Sequence, residues 1–280
     1  MNLPEHVGVL GGGRMGAGIA HAFLAAGARV SVVEADETTA AAASQRVRRS
    51  LGTAVERGTL AAGLAETLAR FECASDHAAF AGCDLVIEAV PELVDLKKSV
   101  LTRLEQAAPG AVLATNTSSL SVDDLATSLV DPEKFIGLHF FNPVPASDLV
   151  EVVVASTTAP ELVENACSWV ESLGKTAITV QDAPGFASSR LGVAIALEAM
   201  RMLESGVASA EDIDTAMTLG YKHPMGPLRT TDVVGLDVRL AIAEHLEREL
   251  GPRFAPPAVL REKVAAGFLG RKTGQGFYAW

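Results

Sequence analysis

Cysteine is scarce in this 280-residue chain. Cys73, Cys83 and Cys167 are odd in number and widely spaced, which excludes a disulfide framework and a metal knuckle. A reducing, cytoplasmic setting is expected from that usage. Long apolar runs are also missing: none approaches the roughly 18 residues that a bilayer span needs. The first residues lead almost at once into a strand and a glycine loop, without the charged-then-apolar pattern of a secretory signal. Basic residues are outnumbered, 23 Lys and Arg against 34 Asp and Glu, for a formal net charge of -11. That balance argues against a general binder of nucleic acid or anionic membrane. It leaves room for a local basic site that takes a phosphorylated ligand. His6, His21, His77, His223 and His245 form no ligand-spaced set, so no metal is expected. No internal repeat or low-complexity tract stands out beyond the alanine bias at Ala40–Ala43.

What is present is an ordinary globular composition, 49% hydrophobic and 20% charged, and a length that suggests about two domains. Val7–Leu10, Arg29–Glu34, Leu85–Ala89, Val112–Thr115, Phe135–Phe140, Val150–Ala155 and Thr176–Val180 read as strands. Helical patterns lie between them: one through Ala26, one over Glu37–Arg70 broken near Gly58 and Gly63, and one over Glu92–Gln106. Strands alternating with helices imply right-handed βαβ units and a mostly parallel sheet. After "QDAPGF" the texture changes, and from Ser188 onward the apolar residues keep a helical period. The expected architecture is an α/β Rossmann-like domain over residues 1–183, followed by a smaller all-α domain over 184–280. Pro184 and Gly185 mark the boundary.

"VGVLGGGRMGAGIAHAF" places Gly11-x-Gly13-x-x-Gly16 between a strand and a helix, the context in which this spacing carries meaning. Gly11 allows the tight turn, Gly13 lets the backbone approach a pyrophosphate, and Gly16 lets helix and strand pack closely. Met15 lies in the same loop and joins the expected cofactor set. The helix N-terminus then faces the anion. Glu34 ends the next strand about 20 residues on, where an acid can bond the ribose 2′-OH. Asp36 and Glu37 follow it with no adjacent arginine, which favours NAD over NADP. A glycine-rich turn without a ligand is the bland alternative.

Other signals each have a plain reading beside a functional one. Arg46, Arg48, Arg49 and Arg57 are either a solvated helix face or a grip on a phosphorylated ligand. "TNTSSLS" follows a strand at the carboxyl edge of the sheet, where open α/β sheets bind ligands. Asn116 and Ser118 can point polar groups at a cofactor or substrate there, or a serine can cap the helix that starts after Ser121. His139 ends a strand and Glu151 lies on the next, twelve residues on. They are packing and surface residues, or an imidazole held by a carboxylate and able to work as acid and base.

Taken in order, "GGGRMGAGIA", "VIEAVPELVDLKK", "TNTSSLS", "GLHFFNPVP", "LVEVVV", "DAPGF", "PMGP", "VGLD" and "GRKTGQGFY" resemble the short-form L-3-hydroxyacyl-CoA dehydrogenases across almost the whole chain. The resemblance implies an NAD-dependent oxidoreductase acting on an acyl-CoA such as 3-hydroxybutyryl-CoA. His139 would be the acid/base and Glu151 its orienting partner. Ser118 would bond the reacting oxygen, and Asn142 would place substrate and nicotinamide. Glu92 and Lys97 would line the cofactor side, and Ser50 and Arg57 would meet coenzyme A. The family's helical C-terminal domain forms a homodimer and caps the cleft.

Two positions depart from the family pattern. Ser189 stands where relatives commonly carry a substrate-site asparagine, and a serine has the shorter reach. Asp148 stands where relatives often carry a base. Both bear on acyl preference. Three further readings stay open: a 3-hydroxyadipyl-CoA dehydrogenase, for which Arg229 or Lys222 would supply the second cation; a related dehydrogenase of non-CoA hydroxy acids; and a non-catalytic NAD-binding protein.

Overall fold

A computed structural model describes residues 3–280, which divide after Asp182 into two compact units. The first is built on eight strands: β1 (His6–Leu10), β2 (Arg29–Val33), β3 (Phe71–Ala74), β4 (Leu85–Glu88), β5 (Val112–Thr115), β6 (Phe135–Phe140), β7 (Leu149–Val154) and β8 (Thr176–Gln181). They form one sheet in the order β3-β2-β1-β4-β5-β6-β7-β8. The first six are mutually parallel; β7 pairs antiparallel with β6, and β8 runs parallel to β7. Six helices belong to this unit: α1 (Arg14–Ala25), α2 (Glu37–Glu56), α3 (Leu64–Leu68), α4 (Val94–Ala107), α5 (Val122–Ala126) and α6 (Pro160–Ser172). The inner strands are mostly apolar because helices cover both faces of a parallel sheet. Val7, Val9, Val30, Val32, Leu85 and Ile87 are fully buried.

Close packing of α1 explains two of its glycines. A Cβ at Gly16 would lie 1.8 Å from the carbonyl oxygen of Gly11, and one at Gly18 would lie 2.8 Å from Cβ of Val144. Gly16 therefore lets the helix sit against the nucleotide loop. Gly18 lets the same helix touch the β6–β7 turn that carries Asn142.

Local chemistry corrects some of the expected boundaries. β3 escapes the sequence pattern because it is a four-residue edge strand with a half-exposed "FECA" face. Asp36 is the N-cap of α2: its side chain accepts from the Thr39 N–H, and the Thr39 hydroxyl accepts from the Asp36 N–H. Ser121 caps α5 by accepting from the Asp124 N–H, so Ser118 is not the capping serine. Helix α4 begins at Val94, which leaves Glu92 in the preceding loop rather than on the helix.

The second unit is helical: α7 (Ser188–Glu204), α8 (Ala210–Thr215), α9 (Pro227–Val234), α10 (Leu236–Leu250) and α11 (Ala258–Ala265), around Leu197, Met200, Leu228, Leu236, Leu246 and Leu260. Two buried carboxylates organise it. Asp214 accepts from the N–H groups of Leu228 and Arg229 at the start of α9, and from the Tyr278 hydroxyl. Burial and that carboxylate push the Tyr278 phenol well above its usual range. Asp232 accepts from Phe277 N–H, Tyr278 N–H and Trp280 Nε1, pinning the "GFYAW" tail. Arg229, a candidate for an available cation, stacks instead over Tyr278 and Trp280, 4.4 Å and 5.4 Å from the ring centroids. Lys222 is exposed. No described helix is long and apolar enough to cross a membrane.

Candidate active site

The glycine loop runs from β1 into α1, whose first turn carries no acid. A Cβ added at Gly13 would meet no protein atom within 4 Å. The space above the helix N-terminus is therefore open to a diphosphate, and the loop fits NAD. Arg14 and Met15 follow in the first turn, exposed and half-buried respectively. Glu34, the residue after β2, accepts from the Gly12 N–H with Oε1 at 2.7 Å, so this acid stands against the loop. The sequence places no arginine beside Glu34, but α2 folds one back: Arg46 donates to the Gly12 carbonyl at 3.1 Å.

Glu34→Gln keeps the shape and removes the charge. The Kd for NADH is expected to rise roughly tenfold, a hydrogen bond to a charged group being worth about 1.5–3 kcal/mol. The preference for NADH over NADPH is expected to narrow. Fluorescence titration with both nucleotides checks this, and unchanged affinities would remove Glu34 from the site.

Beneath the carboxyl ends of β4 and β5 lies a buried ionic network. Glu88 is fully buried and Lys97 is 1% exposed, with Lys97 Nζ 2.7 Å and 2.9 Å from the two carboxylate oxygens. Thr115 Oγ1 and Val90 N–H donate to the same carboxylate. Lys97 also approaches Glu92 at 3.3 Å. Glu92 in turn accepts from Thr117 Oγ1 at 2.5 Å and from the N–H groups of Ser118 and Ser119 at 2.9 Å and 3.2 Å. Burial alone would push the Glu92 carboxyl up. The Lys97 charge and the bonds from Thr117 and Ser118 outweigh burial and hold it below the usual carboxylate range. Glu92 thus ties the loop after β4 to the loop after β5 and sets the Ser118 backbone. Lys97 was expected to line the cofactor side; its ammonium lies within this network, beneath the loops. Glu88 and Thr117 were not anticipated. The signal for Glu88 was an acid closing an apolar strand, nine residues before a lysine.

The antiparallel register of β6 and β7 sets His139 directly opposite Glu151. His139 Nδ1 lies 2.7 Å from Glu151 Oε2; the carboxylate is fully buried and the histidine 6% exposed. The imidazole also packs on Phe141, ring centroids 4.5 Å apart. Asn116 Oδ1 accepts from the Phe140 N–H, so its oxygen joins the ends of β5 and β6. Ser118 follows β5 and His139 is the penultimate residue of β6, neighbouring parallel strands that end at the same edge of the sheet. Asn142 is exposed in the turn that follows.

Beside that turn opens a groove of about 1090 Å³ between α1, α2 and the Ser172–Lys175 corner. Arg14, Arg46, Arg49, Arg57 and Lys175 line it, together with Ser50 and His21, and no acid does. The arginine stripe splits as helical spacing demands. Arg46, Arg49, Ser50 and Thr53 share a face and Arg57 continues it, whereas Arg48 turns away and reaches Ser44 at 3.3 Å. Ser50 has a partner that the sequence did not suggest, His21 Nδ1 at 2.7 Å. Lys175 donates to the carbonyls of Val144 and Ser147 at 2.7 Å and 2.6 Å, holding the β6–β7 turn. Burial pushes the Lys175 ammonium down, and Asp148 opposes that shift. Asp148 therefore has an electrostatic partner: the cation of this corner stands at Lys175. Ser189 is half-buried in the first turn of α7.

Two family models match the chain. "3-hydroxyacyl-CoA dehydrogenase, NAD binding domain" covers residues 6–183, and "3-hydroxyacyl-CoA dehydrogenase, C-terminal domain" covers residues 185–280. The chain is 41% identical over 275 residues to a probable 3-hydroxybutyryl-CoA dehydrogenase of Deinococcus radiodurans, spanning 98% of this chain and 99% of that one. It is 40% identical over 280 residues to the 3-hydroxyadipyl-CoA dehydrogenase of Escherichia coli, spanning 99% of this chain and 59% of that one. The crystal structure of an (S)-3-hydroxybutyryl-CoA dehydrogenase from Ralstonia eutropha superposes with a TM-score of 0.94 at 38% identity, covering 99% of each chain. Identity is nearly the same, 41% and 40%, toward relatives named for different acyl groups, so identity does not select the acyl group.

Proposed function

The chain belongs to the 3-hydroxyacyl-CoA dehydrogenase family, and on that premise we propose that its substrate is a short (S)-3-hydroxyacyl-CoA such as 3-hydroxybutyryl-CoA, with His139 and Glu151 as the acid/base pair. The observation that carries this reading is the 2.7 Å contact from His139 Nδ1 to a fully buried Glu151 carboxylate. A carboxylate so placed selects the tautomer with the proton on Nδ1 and leaves Nε2 as the base.

Gly11, Gly13, Met15, Gly16 and Glu34 hold the dinucleotide, with Asn116 at the carboxyl edge of the sheet. Glu92 and Lys97 support its nicotinamide side from the network beneath. Bound NAD supplies the acceptor for the hydride that leaves C3. His139 removes the proton of the C3 hydroxyl, and Glu151 stabilises the imidazolium that results. The Ser118 hydroxyl bonds the oxygen as it becomes a carbonyl, and Asn142 orients the thioester. Reversal returns the proton from His139 to the oxygen. The protein's share is geometry and fixed charge.

Ser50 and Arg57 meet coenzyme A in the acid-free groove, which speaks against a hydroxy acid lacking that group. Arg229, committed to Tyr278 and Trp280, is a poor candidate for the cation that an adipyl carboxylate would need. A homodimer through the helical unit fits its exposed apolar side chains, Leu191 and Leu219 among them. NADH oxidation with a series of 3-oxoacyl-CoA substrates tests the proposal, and kcat/KM is expected to be highest for acetoacetyl-CoA. A higher value for 3-oxoadipyl-CoA would favour the dicarboxylate reading, and turnover of free acetoacetate at a comparable rate would sink the coenzyme A assignment. Repeating the series with Ser189→Asn reads the effect of that departure on the ranking.

A further inference from the structure

We propose that His21 is a positioning residue for the coenzyme A portion of the substrate: it holds the Ser50 hydroxyl as a hydrogen-bond donor toward the groove. The inference rests on the reading of the groove as the coenzyme A site. His21 lies on α1 and Ser50 on α2, 29 residues apart, and their 2.7 Å contact sits in the wall of the groove. His21 is only 7% exposed. Its ring is not a packing accident, because its Nδ1 meets a polar atom that faces the same groove.

The polarity of that contact follows from the surroundings. Arg14 from α1, Arg46, Arg49 and Arg57 from α2 and its end, and Lys175 from the turn before β8 line the groove, and no acid does. Burial, and then the Lys175 charge, push the His21 imidazole below its ordinary range, so the ring is neutral at neutral pH. A neutral imidazole has one donor nitrogen and one acceptor. If Nδ1 accepted the Ser50 proton, the hydroxyl would turn only lone pairs toward a ligand. A groove walled by cations selects a ligand rich in acceptor oxygens, such as phosphate oxygens and amide carbonyls, and lone pairs would repel it. With the proton on Nδ1, the ring donates to Ser50 Oγ and the Ser50 O–H is released to the ligand. The substrate class is a thioester whose carrier bears phosphates and amides. Truncation to the bare thioester removes the partner of Ser50.

The test uses the full-length enzyme with NADH and two thioesters, acetoacetyl-CoA and acetoacetyl-N-acetylcysteamine. His21→Leu is expected to raise KM for acetoacetyl-CoA about tenfold, the loss of roughly one hydrogen bond, with kcat held within about twofold. KM for the truncated thioester is expected to stay unchanged. His21→Asn, whose amide N–H stands where Nδ1 stood and can donate to Ser50, is expected to restore most of the loss. In a double-mutant cycle, adding His21→Leu to Ser50→Ala is expected to cost little more than Ser50→Ala alone. Calorimetric titration with coenzyme A itself gives the same ranking without turnover, and unchanged NADH affinity certifies that each variant is folded. An unchanged KM in His21→Leu overturns the proposal. So does an equal rise for both thioesters, or no rescue by asparagine. Should His21→Leu fail to fold, His21→Asn against Ser50→Ala/His21→Asn decides: a KM for His21→Asn as high as that of Ser50→Ala overturns the proposal. Failure of the underlying reading looks different, because wild type would then discriminate poorly between the two thioesters.

Discussion

Replacement of His139 by glutamine is expected to lower kcat for acetoacetyl-CoA reduction by roughly a thousandfold, within the range of about 10²–10⁴ typical of a positioned acid or base. Glutamine still reaches Glu151 Oε2 with an amide N–H, so the ring's space and the buried carboxylate's partner are largely kept. What it lacks is a group that exchanges a proton near neutral pH. KM for the thioester and the Kd for NADH are therefore expected to stay within about threefold, because neither rests on proton transfer. Steady-state kinetics with fluorescence titration of NADH separates the two effects. A loss of kcat below about tenfold would remove His139 from the chemistry.

The largest effect on stability is expected at Lys97. Lys97→Met leaves the fully buried Glu88 carboxylate without its cation, and Glu92 loses the charge 3.3 Å away. Breaking one partner of a buried pair costs about 3–5 kcal/mol, because a desolvated charge is left uncompensated. At about 2–4 °C per kcal/mol for a chain of this size, Tm is expected to fall by roughly 6–20 °C. Lys97→Met with Glu88→Gln is expected to recover much of that loss, since a neutral amide can still accept from Thr115 Oγ1 and needs no cation. Calorimetry on the two single variants and the double checks this. A drop of less than about 1 kcal/mol in Lys97→Met would mean that water reaches the pair.

Much of the site was legible because some motifs act through local backbone chemistry. Gly11, Gly13 and Gly16 declare themselves between a strand and a helix, and Glu34, read as a partner for the ribose, stands beside that loop and accepts from the Gly12 N–H. The change to helical period after Gly185 lies close to the division of the chain into two units after Asp182. Less was legible where residues distant in sequence share a charge or a proton. Nothing near Ser50 names His21, and nothing near Gly12 names Arg46; both contacts form when α2 packs back against α1 and the nucleotide loop. Asp148 remains a departure from the family pattern, and sequence alone did not show that Lys175, just before β8, shares its field. Asp36 reads by sequence as a repulsive charge beside the ribose, yet its nearest work is to cap α2.

The stretch from His139 to Glu151 marks the division most clearly. Sequence alone determined that two strands flank a proline-bearing turn and that each carries one ionisable residue, because apolar runs and turn residues encode strand and loop locally. It could not determine that the two residues meet, because side chains alternate faces along a strand and a slip of one residue in register would turn Glu151 to the other side. Only the sheet decided it. β7 runs antiparallel to β6 in the register that sets Glu151 opposite His139, and the sheet buries the carboxylate fully with the imidazole nitrogen 2.7 Å away.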